Sequence, residues 1–329
     1  MNRVPAMLHR TNSRVRGVTA AAVVASIAVA LCCVAPAAAQ VKNPVAWQAA
    51  LDRAGFSPGV IDGAIGEKTR LALRAYQTYH GLPVTGLPDR ATARSLGVDD
   101  VSALVRYRIT PDDVAQIGRL PTDWNEKAKL RALPYPSLRE LLAERGHCSQ
   151  PLLARLNPGV ALSEIRAGDT LMIPRVGDAR KLPAASRIDI EFDRRLILVR
   201  DGSGKVAALF HCSIAQDASK RPSGPCSVVG VTHDPEYLFD PAYWPEVTNV
   251  TRRLRIPPGP RSPVGVCWIG LSIDGYGIHG TPRPEQIGKT GSHGCFRLTN
   301  WDVARLSQVV GAGTDVRFLS QPARFAAAR

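Results

Sequence analysis

The residues with the most chemical potential lie in one short polar segment near the C-terminus. Residues 278–300 read IHGTPRPEQIGKTGSHGCFRLTN and contain one cysteine, two histidines and four glycines. A thiol needs a base and an oxyanion site before it can attack a carbonyl carbon, and a segment of this composition can supply all three. Cys295 is therefore the predicted nucleophile.

The spacing around Cys295 predicts how its partners are arranged. Gly294 separates His293 from Cys295, so no side chain blocks a substrate there, and the backbone N–H groups can point into one cleft as oxyanion donors. His279 lies sixteen residues before Cys295, at the end of a run that reads as strand and turn. A hairpin would return it to the thiol, where an imidazole is expected to lower the thiol pKa and favour the thiolate.

Other interpretations of these three residues stay open at this point. Cys295 could be a structural thiol or a disulfide partner, and His279 or His293 a satisfied core histidine. All three are also zinc ligand types, but no His-Glu-x-x-His helix, paired Cys-x-x-Cys or nearby carboxylate completes a zinc site. We therefore predict no metal and no cofactor; a metal-dependent wall hydrolase would instead lose activity on chelation.

The segment resembles the signature of the L,D-transpeptidases. A histidine-glycine pair, a spacer, then Ser-His-Gly-Cys, an apolar residue and arginine appear in IHGTPRPEQIGKTGSHGCFRLTNWD, with PPGPRSPVG upstream and GAGTDVRFL downstream. The resemblance implies that Cys295 is the acylated nucleophile and His279 the base, with the backbone carbonyl of Gly280 orienting the imidazole.

The resemblance also assigns the remaining residues of the motif. His293, Gly294 and Cys295 would border the oxyanion site, whereas Ser292 and Arg297 would fix the loop and the charged groups of the substrate.

The family chemistry implied by this resemblance is acyl transfer on bacterial wall peptides. The thiolate attacks the carbonyl before the terminal D-Ala of a tetrapeptide stem, D-Ala leaves, and an amine resolves the thioester. The acceptor can be another stem, a lipoprotein lysine or a free D-amino acid, and water would make the enzyme a carboxypeptidase. Carbapenems acylate members of the family. A non-catalytic peptidoglycan-binding protein is the alternative, and the complete residue set argues against it.

The elements that must position this site are strands. From Arg187 onward apolar and polar residues alternate, which puts Ile188, Ile190 and Phe192 on one face of a strand. Glycine and proline recur at short intervals in the rest of the region, as expected for turns between short strands. Residues 186–320 are therefore predicted to be a mainly antiparallel β, sandwich-like catalytic domain. A helix is predicted from about Asn300 to Val310.

Two smaller modules are predicted upstream. Residues 44–97 show helical periodicity and resemble the all-α, three-helix peptidoglycan-binding module through the runs DGAIGEKTRLALRAYQ and GLPVTGLPDRAT. Residues 98–131 are predicted to be a linker with one or two short helices. Residues 132–177 resemble a lysin-motif module of α+β type through LLARLNPG and AGDTLMIP, with a poorly matched opening strand; glycan binding and packing against the catalytic domain are both open for it.

The N-terminus has the layout of an export signal. Four arginines precede an apolar run from about Val18 to Val34, followed by three alanines that end at Ala39. Residues 1–39 are the predicted signal peptide, an uncleaved membrane anchor is the alternative, and residues 321–329 are a predicted tail. We expect the protein in the periplasm or cell wall.

Charge and cysteine content agree with that location. Cleavage would take the formal net charge from +14 to +10, and outside the cytoplasm such a basic protein meets anionic wall polymers rather than nucleic acid. The expected partners are peptidoglycan stems and glycan strands, and an anchored lipoprotein if a lysine is the acceptor. Cys148, Cys212, Cys226 and Cys267 could pair in three ways, among which the sequence does not choose.

Overall fold

The computed structural model describes residues 43–292 and 294–320. The predicted signal peptide at 1–39, the predicted tail at 321–329 and His293 therefore lie outside the described residues. Within the described ranges, no helix is both long enough and apolar enough to cross a bilayer.

The first module is a three-helix unit, as its periodicity predicts. Its helices are α1 (Pro44–Ala54), α2 (Glu67–Tyr79) and α3 (Arg90–Leu96). Asn43 begins α1 by accepting a hydrogen bond from the backbone N–H of Val45, and Gly55 ends it with a φ of 93°. Ala72, Leu73 and Tyr76 form the buried stripe of α2.

The middle module combines short helices with a two-stranded sheet. In chain order its elements are β1 (Leu104–Arg108), α4 (Pro111–Ala115), α5 (Trp124–Ala128), α6 (Leu138–Arg145), α7 (Gln150–Leu156) and β2 (Thr170–Pro174). The two strands pair antiparallel. Ser137 and Ser149 cap α6 and α7 with their hydroxyls.

The range 98–131 is more than the predicted linker. It contains the expected short helices α4 and α5, but also the strand β1. That strand escapes sequence analysis because its burial follows no clean alternation, and its five residues are held by pairing with β2, about sixty residues later. The segment is thus part of the middle module's packed structure.

The C-terminal part of the described chain contains the remaining strands and one α-helix. Its elements are β3 (Arg187–Glu191), β4 (Leu196–Arg200), β5 (Val206–His211), β6 (Cys226–His233), β7 (Tyr237–Phe239), β8 (Leu254–Ile256), β9 (Cys267–Leu271), β10 (Gly277–His279), β11 (Phe296–Arg297), α8 (Asn300–Ser307) and β12 (Asp315–Leu319). Eight of the strands join in the order β11-β10-β9-β6-β12-β3-β4-β5, while β7 and β8 form a separate hairpin.

The large sheet is mainly antiparallel, with two parallel pairs. These are β10 with β11 and β12 with β3. Instead of two separate layers, the strands form one continuous sheet through β6, whose pairing with β9 shifts register between Val228 and Gly230. Ile188, Ile197 and Ile278 come from both ends of this sheet and share one buried core with α8.

Candidate active site

His279 ends β10 and is held by its neighbours on both sides. The strand pairs antiparallel with β9, where Trp268 lies opposite His279. Nδ1 of His279 lies 2.7 Å from the backbone carbonyl oxygen of Gly280. A carbonyl only accepts, so Nδ1 carries the proton and donates, and Nε2 of the neutral ring is left as an acceptor.

The Trp268 indole covers the catalytic histidine candidate. Its ring stacks on the His279 imidazole with centroids 5.5 Å apart and an interplanar angle of 14°. The same indole fills the space above Gly277, where an added Cβ would lie 2.3 Å from Cζ2 of Trp268. Position 277 therefore has to be glycine for the tryptophan to lie over the histidine.

Cys295 immediately precedes β11 and faces the same side as His279. The parallel register pairs Ile278 with Phe296 and His279 with Arg297. Continued by one residue, this register places Cys295 opposite Gly277, and side chains two residues apart on a strand share a face. Cys295 is a free thiol, and its Sγ donates to the backbone carbonyl of Gly275 at 3.5 Å.

Both candidate groups are held in their neutral forms. Burial raises the pKa of Cys295, although a hydrogen bond from the Gly277 backbone and the charge of Arg297 act in the opposite direction. The pKa of His279 is lowered to about 4, chiefly by burial and also by the charge of Arg297, while the hydrogen bond to Gly280 acts in the opposite direction. The expectation of a thiol pKa lowered by the imidazole is therefore wrong for this state: desolvation dominates, and among the described residues no hydrogen bond joins the two groups.

Ser292 closes the turn that carries the cysteine. Its hydroxyl donates to the backbone carbonyl of Cys295 at 2.5 Å and accepts from the backbone N–H of Gly294 at 3.3 Å. The Gly294 N–H is thus already hydrogen-bonded within the chain in this structure, whereas an oxyanion donor would have to be free to bind the substrate oxygen. His293, the other residue expected here, lies outside the described residues.

Arg297 links the loop to the electrostatics of the site. Its guanidinium donates to the backbone carbonyl of Gly291, and its own backbone pairs with Ser213 in both directions at 2.8 and 3.0 Å. Burial lowers its pKa, while Cys295 acts to raise it. The structure thus places Arg297 beside the thiol and in contact with the loop.

Sequence reasoning missed Gly277 and Tyr237. The signal for Gly277 was its spacing of two from His279 on a strand. Tyr237 belongs to the β7–β8 hairpin, and no local sequence pattern indicates that it lies near Cys295. Burial raises the pKa of Tyr237, and proximity to Cys295 also acts to raise it. Tyr276, which had no predicted duty, donates its hydroxyl to the Lys220 carbonyl at 2.8 Å and lies beneath Gly294.

Two cavities lie near these loops. One of about 340 Å³ adjoins the cysteine turn, and its walls are Gln216, Asp217, Lys220, Gly291 and Ser292. The other, of about 410 Å³, lies between α6 and the Pro282–Glu285 stretch, and none of the predicted catalytic residues lines it. The smaller cavity is therefore the one adjacent to the chemistry.

No group of three or more histidine, cysteine, aspartate or glutamate side chains is arranged to hold a metal ion in the described ranges.

Comparison with known families assigns a catalytic domain to this part of the chain. Residues 185–318 match the model of the L,D-transpeptidase catalytic domain. The chain contains an L,D-transpeptidase catalytic domain. Its catalytic domain runs from just before β3 into β12, and residues 41–96 match the model of a peptidoglycan binding domain, which spans α1 to α3.

Individual relatives carry the same family name. A Bacillus licheniformis protein named L,D-transpeptidase YkuD is 28% identical over 183 residues, which are 56% of this chain and 93% of that protein. The Bacillus subtilis protein of the same name is 49% identical over 57 residues, covering 17% of this chain and 35% of its own. A solved L,D-transpeptidase from Xylanimonas cellulosilytica aligns with a TM-score of 0.33 and 15% identity over 84% of this chain and 92% of that one.

Proposed function

We propose that this enzyme transfers the acyl group of a peptidoglycan stem peptide through a thioester on Cys295. The observation that carries the proposal is the shared face of the paired strands β10 and β11. The free thiol of Cys295 lies on the same face as His279, whose Nε2 is left as an acceptor by the bond from Nδ1 to Gly280, and this arrangement supports the proposal. The match of residues 185–318 to the L,D-transpeptidase catalytic domain supplies the reaction class.

The reaction proceeds in two balanced steps. Sγ of Cys295 attacks the carbonyl carbon before the terminal D-Ala while Nε2 of His279 takes the thiol proton. The imidazolium then protonates the departing amine, so that D-Ala leaves and the thioester remains. An acceptor amine attacks the thioester, gives a proton to His279, and the thiol is restored. The backbone N–H of Cys295 serves the oxyanion together with His293, as the motif implies.

The cavity beside Ser292 is the proposed place for the charged part of the donor stem. Asp217 and Lys220 line it with opposite charges, and stem peptides carry both amines and carboxylates. Another stem, a lipoprotein lysine, a free D-amino acid or water are the acceptors to be distinguished. Analysis of the muropeptides of sacculi incubated with the pure enzyme identifies the donor and the acceptor together.

The smaller modules complete the proposal. We propose that residues 44–97 hold the enzyme on glycan strands and that residues 1–39 direct export to the periplasm or wall. We also propose a lysin-motif-like identity for residues 132–177, where α6, α7 and β2 follow one another in the chain.

The test is covalent labelling by a carbapenem. We expect a one-to-one adduct on the wild-type protein by intact mass and none on Cys295→Ala, because no other cysteine is both accessible and beside a base: the remaining four described thiols are buried. EDTA should not change the labelling.

Two outcomes would contradict the proposal. An adduct on both proteins would remove Cys295 from the chemistry, and no adduct on a folded wild-type protein would favour a non-catalytic wall-binding protein. Loss of muropeptide turnover in EDTA with rescue by zinc would favour a metal-dependent hydrolase.

A further inference from the structure

A lysine of the first module reaches into the catalytic loop. Lys68 lies in the first turn of α2, and its Nζ donates to the backbone carbonyl of Ile287 at 2.6 Å, across 219 positions of sequence. Ile287 is buried and lies between His279 and Ser292. The contact therefore joins the peptidoglycan-binding module to the segment that leads into the cysteine turn.

The lysine fits closely at both ends of its path. An added Cβ on Gly59 would lie 2.9 Å from Cδ of Lys68, and one on Gly288 would lie 3.6 Å from Cε. Gly288 also has a φ of 77°, a conformation that favours glycine. The side chain thus runs along a channel made by two glycines, one from each module.

The charge of Lys68 is held there against a desolvation cost. Burial lowers its pKa, and Lys289 lowers it further, while Asp302 and Asp62 act in the opposite direction from a distance. No carboxylate forms an ion pair with Lys68 in the described part of the chain. The charge-assisted bond to the Ile287 carbonyl is therefore its principal polar contact.

The backbone of Lys68 is fixed to the catalytic sheet as well. Nε2 of His211, at the end of β5, lies 3.3 Å from the Lys68 carbonyl oxygen. His211 is buried, and burial lowers its pKa to about 3, so the ring is neutral. Lys68 consequently spans two fixed points of the catalytic domain, His211 through its carbonyl and Ile287 through its ammonium.

The loop's other anchors all come from the catalytic domain itself. The Gly288 N–H donates to the Ser213 hydroxyl at 3.0 Å, and the Ser292 N–H donates to the Ile214 carbonyl at 2.8 Å. Arg195 donates to the Gly288 carbonyl. Ile287 is thus the point at which the first module, through Lys68, adds its own hold on the loop.

We propose that Lys68 is a positioning residue for the acyl transfer: the peptidoglycan-binding module, besides holding the wall, fixes the Ile287–Ser292 stretch and through it the cysteine turn. The path is short, because the stretch ends at Ser292, whose hydroxyl binds the Cys295 carbonyl. The inference rests on the proposed function for its catalytic consequence, but the structural coupling can be measured without catalysis.

The test compares three variants of the full-length protein. Lys68→Met keeps the aliphatic stem and removes the donor, Lys68→Arg keeps a donor, and Arg70→Met removes an exposed charge from the same helix. We expect Lys68→Met to acylate with a carbapenem about tenfold more slowly at saturating drug, with Lys68→Arg within about threefold of wild type and Arg70→Met unchanged. Pull-down on insoluble peptidoglycan should be equal for all four proteins.

Hydrogen–deuterium exchange gives the readout that is independent of turnover. Residues 281–292 should exchange faster in Lys68→Met than in wild type or Arg70→Met, with exchange in the β3–β4 pair unchanged. Wild-type rates and unchanged loop exchange in Lys68→Met would overturn the proposal, as would a Lys68→Arg variant as slow as Lys68→Met. If the wild-type protein itself fails to acylate, the proposed function falls, while the exchange result still decides the role of Lys68.

Discussion

The thiol of Cys295 and the imidazole of His279 rest as a neutral pair. Burial raises the pKa of the Cys295 thiol and lowers the pKa of the His279 imidazole to about 4. At neutral pH the sulfur therefore carries its proton, and Nε2 of His279 is unprotonated. Attack on a carbonyl then requires proton transfer during the step itself. His279 is expected to act as a general base rather than as the partner of a preformed thiolate.

This state predicts an unusual pH dependence of acylation. A base whose pKa is about 4 is already unprotonated at pH 5.5, so the wild-type rate with a carbapenem should be nearly flat from about pH 5.5 to 8. In His279→Ala the residual rate should follow the thiolate fraction and rise about tenfold per pH unit. Rapid-mixing kinetics across this range measures both.

The pH at which the wild-type acylation rate changes shows whether the pKa of His279 is lowered from that of an ordinary histidine. A wild-type rate that steps up near pH 6.5 would mean that His279 titrates as an exposed imidazole does, and the neutral-pair description would be wrong. A flat profile for His279→Ala would mean that another group takes the proton.

At the scale of elements, three short strands assemble the site. β9 supplies Trp268, β10 supplies Gly277 and His279, and β11 brings the turn of Cys295 alongside. Tyr237 of the β7–β8 hairpin is near enough to Cys295 for the cysteine to raise its pKa. The hairpin packs on α5, whose Trp124 stacks on Phe239 with centroids 4.3 Å apart. A segment that looks like a linker in the sequence thus supports the hairpin that carries Tyr237.

The close approach of β9 and β10 predicts the effect of one methyl group. Gly277→Ala should lower the acylation rate at least about 100-fold, because its Cβ would overlap Trp268 and displace the indole from His279. The matched control is Gly202→Ala, in an exposed turn where no atom lies within 4 Å of the added Cβ.

A second-site variant makes this prediction specific. Gly277→Ala combined with Trp268→Leu should recover part of the rate, because the smaller side chain leaves room for the methyl group. Equal acylation rates for Gly277→Ala and wild type would show that the stacking of Trp268 on His279 is not required for acylation.

At the scale of the whole molecule, the modules share their cores. Leu196 and Leu198 of β4 pack against Trp47, Phe56 and other residues of the first module, whereas the alternate residues of β4 face the catalytic core. The edge strand β5 is covered as well, since the Ser57 N–H donates to the Leu209 carbonyl at 2.9 Å. The first module is therefore an integral layer of the enzyme rather than a tethered appendage.

Where the three modules meet, a buried carboxyl lies among other titratable groups. Asp302 of α8 accepts from the Ser57 hydroxyl at 3.0 Å, and His147 of the middle module contacts Asp52 of the first at 3.1 Å. Burial, with the charge of Asp52, raises the pKa of Asp302 to about 7, while His147 acts against the rise. The folded state thus favours the protonated carboxyl.

The sign of this shift predicts how stability depends on pH. Because the pKa of Asp302 is higher in the folded state, stability from this group is fully present below about pH 4 and falls as the pH rises to about 7. Asp302→Asn should remove that loss, on the order of 2 kcal/mol between pH 4.5 and 8. Thermal unfolding midpoints at the two pH values measure it, and we expect a smaller difference in the variant by roughly 4 °C.

Asp100→Asn, which alters an exposed carboxylate, is the control for this measurement and should keep the wild-type difference. An Asp302→Asn variant with the full wild-type pH difference would assign the slope to other groups.

The local features of this protein could be predicted from residue types and their spacing. The Ser-His-Gly-Cys run, the preceding histidine-glycine pair, the three helices of the first module and the strand pair Arg187–Arg200 all follow from residue types and spacings within a few turns of chain. Such features depend on neighbours in sequence, through turn chemistry, capping and side-chain periodicity. They were enough to identify the L,D-transpeptidase catalytic domain, whereas the role of Cys295 as its nucleophile stays a prediction.

The charge states of the site residues and the contacts that fix their positions depend on the folded structure. The neutral state of Cys295, the place of Trp268 over His279, the strand β1 and the contact of Lys68 with Ile287 each depend on packing between segments far apart in sequence or on removal from water. Desolvation and long-range contacts are properties of the folded assembly, and no local pattern records them.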